Sequence, residues 1–260
     1  MLSREMERHF SAIAHKYEFL KTADIEPILL IKEKLDHMET VRAADVGCGT
    51  GRYDIALANE LGDRLHLVCI DNNENMLREL RKNLVQNNVT NFETLLASAT
   101  DLPLEDDSLD AVFTFNAVHH FDIRAFLDEA ARVLRRDGVL FIYTRLRDQN
   151  ARNIWGRFFP GFLKKETRLY ELDELRRAFE ASPALALEAV REFRYSRVSR
   201  LDDLLEQARN HHYSTFHFYD EREFKEALEG FKRNILERFD DPDRIEWEAE
   251  NTMFVARKAG

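Results

Sequence analysis

One stretch, Val41-Arg42-Ala43-Ala44-Asp45-Val46-Gly47-Cys48-Gly49-Thr50-Gly51, constrains the fold of this chain most, because it carries three glycines within five residues at a sharp change of pattern. Residues 41–46 read as a short buried strand. Residues 53–61 place Ile55, Ala56, Leu57, Ala58 and Leu61 at helical spacing. Glycine has no Cβ, so positions 47, 49 and 51 can adopt unusual dihedrals and bring the backbone against a ligand. A helix N-terminus follows, where unpaired amides and the helix dipole favour an anionic group. The expectation is a nucleotide cradle between a strand and a helix.

Strand and helix signals then alternate from residue 41 to 144, the pattern of a parallel sheet covered by helices on both faces. Apolar runs at 65–70, 92–96, 110–115 and 139–143 are short and continuous, as strands buried on both faces should be. Before the fifth strand, Asp122 is placed to cap a helix whose apolar face is Ile123, Phe126, Leu127, Ala130, Val133 and Leu134, with Gly138 closing its end. Two further strands are expected around 185–195 and 245–256, separated by helical spacing at 201–208 and 221–231.

The glycine spacing selects among nucleotides. A dinucleotide fingerprint needs G-x-G-x-x-G or A, whereas Arg52 holds that last position here and Asp45 stands two residues before the first glycine. The second apolar run ends in Asp71, about twenty residues beyond the loop, where a ribose-binding acid belongs in nucleotide-binding α/β units. This G-x-G-x-G arrangement resembles the first motif of the class I S-adenosylmethionine-dependent methyltransferases. Residues 97–110 are similar to the family's third motif, Asn116 to Phe121 to the segment after strand four, and 129–138 to the helix and turn before strand five. Residues 10–18 resemble the N-terminal segment of its small-molecule, type 11/25-like branch. The implied fold is α/β: a Rossmann-like seven-stranded sheet, mostly parallel with an antiparallel last strand, helices on both faces, and helical insertions forming a lid.

The resemblance also implies roles. Gly47, Gly49 and Gly51 pass beneath the methionine and ribose of S-adenosylmethionine, Asp45 fixes the loop and the amino group, and Asp71 accepts both ribose hydroxyls. Asn72 and Met76 contact the adenosine, Met76 equally suiting the core. Where relatives commonly have an acid that meets the adenine amino group, this chain has Ser98, with the amide of Ala99 and the side chain of Asp101 as further candidates. Tyr17 and Arg52 stand where the cofactor carboxylate is met, Arg52 equally suiting an exposed surface, and Asn116 stands where the methionyl amine is reached. His119 and His120 are the candidates for a base, although structural use at the start of the following helix is the stronger reading. The catalytic residues are otherwise open, and no metal site is expected.

A formal net charge of −10 argues against nucleic-acid binding over the whole surface and leaves room for a local basic patch. No apolar run is long enough to span a membrane, and the mixed-charge N-terminal residues lack the apolar segment of a secretory signal, so cytoplasmic residence is expected. Cys48 and Cys69, the only cysteines, suggest neither a disulfide framework nor zinc. The chain divides into an N-terminal helical cap (1–40), a cofactor-binding core (41–144), a basic aromatic insertion with a helix and strand six (145–195), a helical lid insertion (196–243) and a last strand (244–260). Ligands in such sheets bind beyond the carboxyl ends of the strands, so both insertions should lie over the acceptor.

Residues 145–168 combine Arg145, Arg147, Arg152, Arg157, Lys164, Lys165 and Arg168 with Trp155, Phe158, Phe159 and Phe162. Such a segment can meet an acidic acceptor, a nucleobase or a membrane surface. Aromatics packed inward with solvated charges is the slightly favoured reading. The expected activity is methyl transfer to a small molecule by a monomer or homodimer. The alternatives are an RNA methyltransferase using the basic segment and a non-catalytic S-adenosylmethionine-binding subunit or sensor. Asn116-Ala117-Val118-His119 lacks the N/D-P-P-Y/F motif of enzymes that methylate exocyclic amines.

Overall fold

The computed structural model describes residues 23–259. Its centre is a seven-stranded sheet in the order β3-β2-β1-β4-β5-β7-β6, formed by β1 (Val41–Val46), β2 (Leu65–Asp71), β3 (Phe92–Leu96), β4 (Leu109–Phe115), β5 (Leu134–Thr144), β6 (Leu185–Ser199) and β7 (Ile245–Lys258). β1 pairs in parallel with β2 and β4, β2 with β3, and β4 with β5. β7 lies antiparallel to both β5 and β6, so it alone runs against the rest. Strand order turns at β1, and the glycine loop leaves the carboxyl end of that strand. This is the switch point where α/β sheets bind their ligands.

Side chains alternate between the two faces of the sheet. Ala43, Leu67, Phe113 and Phe141 face one way, against α1 (Glu26–Leu35) through Ile28 and Ile31 and against α2 (Arg52–Leu61) through Leu57. Leu80 and Leu84 of α3 (Glu74–Gln86) join the same cluster. Their neighbours Ala44, Val68, Val112 and Leu140 face the other way, against Phe126, Leu127 and Ala130 of α4 (Ile123–Val133). Strands buried on both faces explain the continuous apolar runs, and every residue of β4 is buried.

Asp122 caps α4, its carboxylate accepting from the amides of Arg124 and Ala125 at 3.1 and 3.2 Å. Gly138 does not close that helix. α4 ends at Val133 and passes straight into β5, where the register against β4 shifts between Leu109 and Ala111. Asp137 has φ +63°, and a Cβ on Gly138 would lie 2.8 Å from the Arg135 carbonyl oxygen. The glycine serves a bulge in the strand rather than the end of the helix. β6 and β7 also pair as far as Ser199 opposite Ile245, beyond the expected end of β6 at 195.

Those extended ends carry the insertions. Between β5 and β6 lie α5 (Arg147–Arg152), α6 (Ile154–Phe158), α7 (Phe162–Lys165) and α8 (Leu172–Glu180). Between β6 and β7 lie α9 (Leu201–Arg209), a 3-10 turn (Ser214–Phe218) and α10 (Glu221–Arg238). The two insertions share a core of their own. Trp155 stacks on Phe231 with ring centroids 5.0 Å apart and meets Phe216 edge-on at 5.4 Å, while Phe159 and Phe162 close around Phe216. The aromatics of the basic segment therefore pack inward, and α8 returns to the main sheet through Leu175 and Phe179.

Trp155 is 1% exposed and joins both insertions, so Trp155→Ala should cost about 3–5 kcal/mol of unfolding free energy. Urea denaturation followed by circular dichroism measures it, and a loss below about 1 kcal/mol would contradict a shared lid core.

Candidate active site

The glycine loop is tied to β2. Both Gly47 N (2.7 Å) and Cys48 N (3.1 Å) donate to the Ile70 carbonyl, and Gly49 N donates to Asp71 Oδ2 at 3.0 Å. Gly51 N donates to the Cys48 carbonyl at 3.2 Å. These loop amides are engaged within the protein; the unpaired amides expected at the helix start belong to the first turn of α2, from Arg52 on. The glycines serve conformation and close approach, with φ of +77°, +58° and +85° at 47, 49 and 51. A Cβ on Gly47 would stand 2.6 Å from Ala117 Cβ and 2.9 Å from the Phe121 ring, whereas one on Gly49 would meet nothing within 4 Å. Gly47 lets the loop pack on the segment after β4, and Gly49 leaves its upper side open.

That open side belongs to a cavity of about 830 Å³ running from the glycine loop to the lid. Asp45, Gly47, Gly49, Arg52, Asp71, Asn72, Met76, Ser98, Ala99 and Asn116 all line it, as do His119 and His120. Tyr17 lies outside the described residues, and Gly51, under Leu80 of α3, is not part of the lining. Asp101 is exposed and also outside the lining, in a bridge with Ser98. Met76 is buried as well as lining, so its core and ligand-facing readings coexist.

Asp71 holds the junction of loop and cavity. Its Oδ1 accepts from Asn73 N at 2.9 Å, and Asn73 in turn caps α3 by accepting from the amides of Asn75 and Met76. Burial pushes the Asp71 carboxyl up to about 6, against backbone amides that favour its ionised form. Each carboxylate oxygen keeps a second lone pair for a hydroxyl. Ser98 Oγ is 2.9 Å from Thr100 Oγ1 and accepts from Thr100 N, which fixes the turn after β3. Asn116, at φ +54°, accepts at Oδ1 from Asn251 Nδ2 of β7 at 2.8 Å. The Arg52 guanidinium lies 4.5 Å from the centroid of the Tyr53 ring, with a buried Nε that has no hydrogen-bond partner.

Several supports escape sequence reading. Asn83 of α3 donates to the Thr50 carbonyl at 2.9 Å, and its only signal is an amide among the apolar positions Leu80 and Leu84. Arg132 pins the turn after Ser98 by donating to the Leu102 and Leu104 carbonyls and to Glu129 and Asp106. A third is Asp54, fully buried on α2 beside Asp45 and Cys69. Drawn as carboxylates, neither Asp54 oxygen has a hydrogen-bond partner, nor does Asp45 Oδ1. Burial drives the Asp45 carboxyl well above its ordinary value and Asp54 up to about 7, and two adjacent buried carboxylates cannot both ionise. A proton is therefore held between the two carboxyls in preference to ionising both.

At the other end of the cavity, His119 and His120 form a 3-10 turn (Val118–His120) with ring centroids 4.1 Å apart. They do not cap α4, which Asp122 does. Arg168 Nη1 lies 3.4 Å from His120 Nδ1, and a guanidinium has no lone pair, so Nδ1 accepts and the neutral ring carries its proton on Nε2. Burial, His119 and Arg168 hold His120 well below its ordinary pKa. Arg168 also pairs with Glu166 and donates to Ser214 Oγ at 2.9 Å, while Thr215 donates to Glu166 at 2.5 Å. Burial alone would raise the Glu166 carboxyl, but these donors bring it below its ordinary value. The cluster joins both insertions over the histidine turn.

Residues 44–142 match the family model of a methyltransferase domain. This segment is a class I methyltransferase domain. Demethylmenaquinone methyltransferase of Listeria monocytogenes is 29% identical over 143 residues, 52% of this chain and 60% of that protein. The match therefore spans less than two thirds of the relative's length. The YcgJ protein of Bacillus subtilis superposes with a TM-score of 0.62 at 17% identity, over 90% of this chain and 98% of that one. Phosphoethanolamine N-methyltransferase 2 of Haemonchus contortus, solved with phosphomonomethylethanolamine and S-adenosylhomocysteine, gives 0.57 at 18% identity, over 94% of this chain and 55% of that one. At such identities the likeness is one of fold. No helix among the described residues is long and apolar enough to cross a membrane.

The buried carboxyl pair has a sign that can be checked. Asp54, raised to about 7, binds a proton in the folded state that the unfolded chain releases near its ordinary value of 3.8. Stability should therefore fall as pH rises through that window, and Asp45, raised as well, extends the fall beyond it. Asp54→Asn supplies a permanent donor to Asp45, so its urea midpoint should exceed that of the parent at pH 8, the gap closing toward pH 5. A gap that does not depend on pH would refute the shared proton.

Proposed function

We propose that the chain is an S-adenosylmethionine-dependent methyltransferase whose acceptor is a small molecule held beneath the lid. The observation that carries this reading is the continuity of one cavity from Gly49 and Asp71 to Tyr213, Thr215 and Trp247. Donor and acceptor held in a single shaped space react as one molecule, without the entropy cost of a bimolecular encounter. Bound S-adenosylmethionine supplies an activated methyl group, so the protein has to bind, orient and exclude water rather than generate a strong nucleophile.

The residues fit that cofactor. Gly49 presents backbone with no Cβ in the way, and Asp71 accepts the paired ribose hydroxyls in its ionised form. The Arg52 guanidinium, whose Nε is without a partner, suits the methionyl carboxylate, and Met76, Ser98 and Ala99 border the place for adenine. Asn116 Oδ1 is engaged by Asn251, which leaves its backbone carbonyl the better group for the methionyl amine. His120, holding its proton on Nε2, acts as a donor to the acceptor rather than as a base.

Pairing within the basic segment supports a small acceptor over RNA. Arg147 binds Glu171 and Glu174, Arg152 binds Asp148 and Glu250, Lys165 binds Glu223, and Arg168 binds Glu166. Few of its cations are left for phosphates. The curated Listeria relative, by its name, methylates demethylmenaquinone, itself a small molecule.

Calorimetric titration with S-adenosylmethionine and S-adenosylhomocysteine tests the reading, and failure of both to bind would overturn it. Asp71→Ala should lose roughly 1.5–3 kcal/mol of binding, the worth of a charge-assisted hydrogen bond. Because Asp71 titrates at about 6 and must be ionised to accept two hydroxyls, affinity for S-adenosylhomocysteine should fall as pH drops through 6. Asp71→Asn should flatten that part of the pH profile, and a profile unchanged by the substitution would remove Asp71 from the site.

A further inference from the structure

Resting on that reading, we propose that the acceptor carries an anionic oxyacid group, a carboxylate or a phosphate, and that Arg145 binds it. Arg145 follows β5 directly and lines the lid end of the cavity. Its guanidinium is half-buried and has no carboxylate partner among the described residues, whereas Arg147, Arg152 and Arg168 of the same segment each have one. Glu250, whose backbone meets Arg145, is 5% exposed in its side chain and gives its carboxylate to Arg152, which also holds Asp148. Among the described residues Arg145 donates only to the Glu250 backbone carbonyl at 3.3 Å and to the Tyr213 hydroxyl at 3.0 Å. These are neutral acceptors, and they engage two of the five N–H groups of a guanidinium.

The other charges at this end of the cavity are compensated. Arg197 pairs with Asp24, which also accepts from the Tyr143 hydroxyl at 2.8 Å. Glu166 is held by Arg168 and Thr215. His120 is kept neutral by its surroundings. Among the described residues Arg145 is the positive charge left facing the lid space without a carboxylate; it lies 5.4 Å from the centroid of the Tyr213 ring, which with the hydroxyl bond fixes the plane of the fork. A half-buried cation without a counter-ion beside a cavity is costly unless the ligand brings the counter-charge. A planar fork held in place is suited to bidentate capture of a carboxylate or phosphate.

The cofactor's own carboxylate is the competing use for Arg145, and the experiment separates the two. The protein loaded with S-adenosylhomocysteine is titrated by calorimetry with benzoate, phenyl phosphate and the neutral benzamide. At least one acid should bind tenfold or more tightly than the amide, and which acid does so identifies the group. Arg145→Gln should abolish that preference while leaving affinity for S-adenosylhomocysteine within twofold. Arg145→Met, which keeps the apolar stem, serves as a second neutral variant, and the thermal transition of each shows that it is folded. Equal binding of acids and amide, or a preference that survives both variants, overturns the proposal. A loss of S-adenosylhomocysteine affinity in the variants would assign Arg145 to the cofactor and overturn it too. Should the parent protein fail to bind S-adenosylhomocysteine, the methyltransferase reading falls, and the same titrations on the unloaded protein still decide whether Arg145 selects anions.

Discussion

The site depends on how the carboxyl end of β2 grips the glycine loop. The Ile70 carbonyl accepts two successive loop amides, and the next residue, Asp71, accepts a third. A strand end that satisfies three amides fixes a loop which, with positive φ at all three glycines, has little intrinsic preference for one shape. Once fixed, the loop sets the start of α2, and the Asn83 amide holds it from the side by donating to the Thr50 carbonyl. Asp71 therefore has two duties. One is structural and already met by Gly49 and Asn73, and the other falls to the lone pairs still directed at the cavity.

The lid reaches this cradle through β6 and β7. Their paired ends continue to Ser199 and Ile245, well past the strand that β5 presents, and the insertions are mounted on that projecting ribbon. Their aromatic core is separate from the two cores that flank the sheet. The acceptor end is thus shaped by elements that pack on one another, while the cofactor end is shaped by the sheet. A change in lid sequence can alter the lid end of the cavity without disturbing the loop, because the lid's aromatic core is its own and polar pairs help to join the two ends. Asn116 with Asn251 and His120 with Arg168 are among them.

Much of the cofactor end was legible because its information is local. Glycine spacing, an acid at a strand end and the alternation of apolar runs are each read within a short stretch, and the succession of strands and helices followed from them. Gly138 misled because a glycine soon after a helix marks either a C-cap or a bulge, and only the pairing of β4 with β5 decides between them. Asn83, Asp54 and Asn251 were illegible for another reason. Each acts on a residue far away in sequence, and an isolated Asn or Asp on a helix or strand does not reveal what it faces. The basic segment was legible as aromatic and charged, but the fate of its charges was not, since Glu171, Glu174, Glu223 and Glu250 reach it from other elements.

That distribution of partners gives a basic segment meaning in an acidic chain. With a net charge of −10 carboxylates outnumber cations, and Arg147, Arg152 and Arg168 of the segment are each paired with one. Exposed arginines without one are solvated, so it is a partly buried, cavity-lining arginine without one that is informative. Arg52 and Arg145 are two cavity-lining arginines in that position, one beside the glycine loop and one beneath the lid. Two cations at opposite ends of one cavity suit two ligands that each bring an anion. They also set the ligands' orientation, because each charge must meet its own guanidinium before the remaining atoms can settle between them. On the proposed function, the sites of methyl donation and acceptance are fixed by what lies between two electrostatic anchors, and a reaction that needs alignment more than chemistry is served by that arrangement.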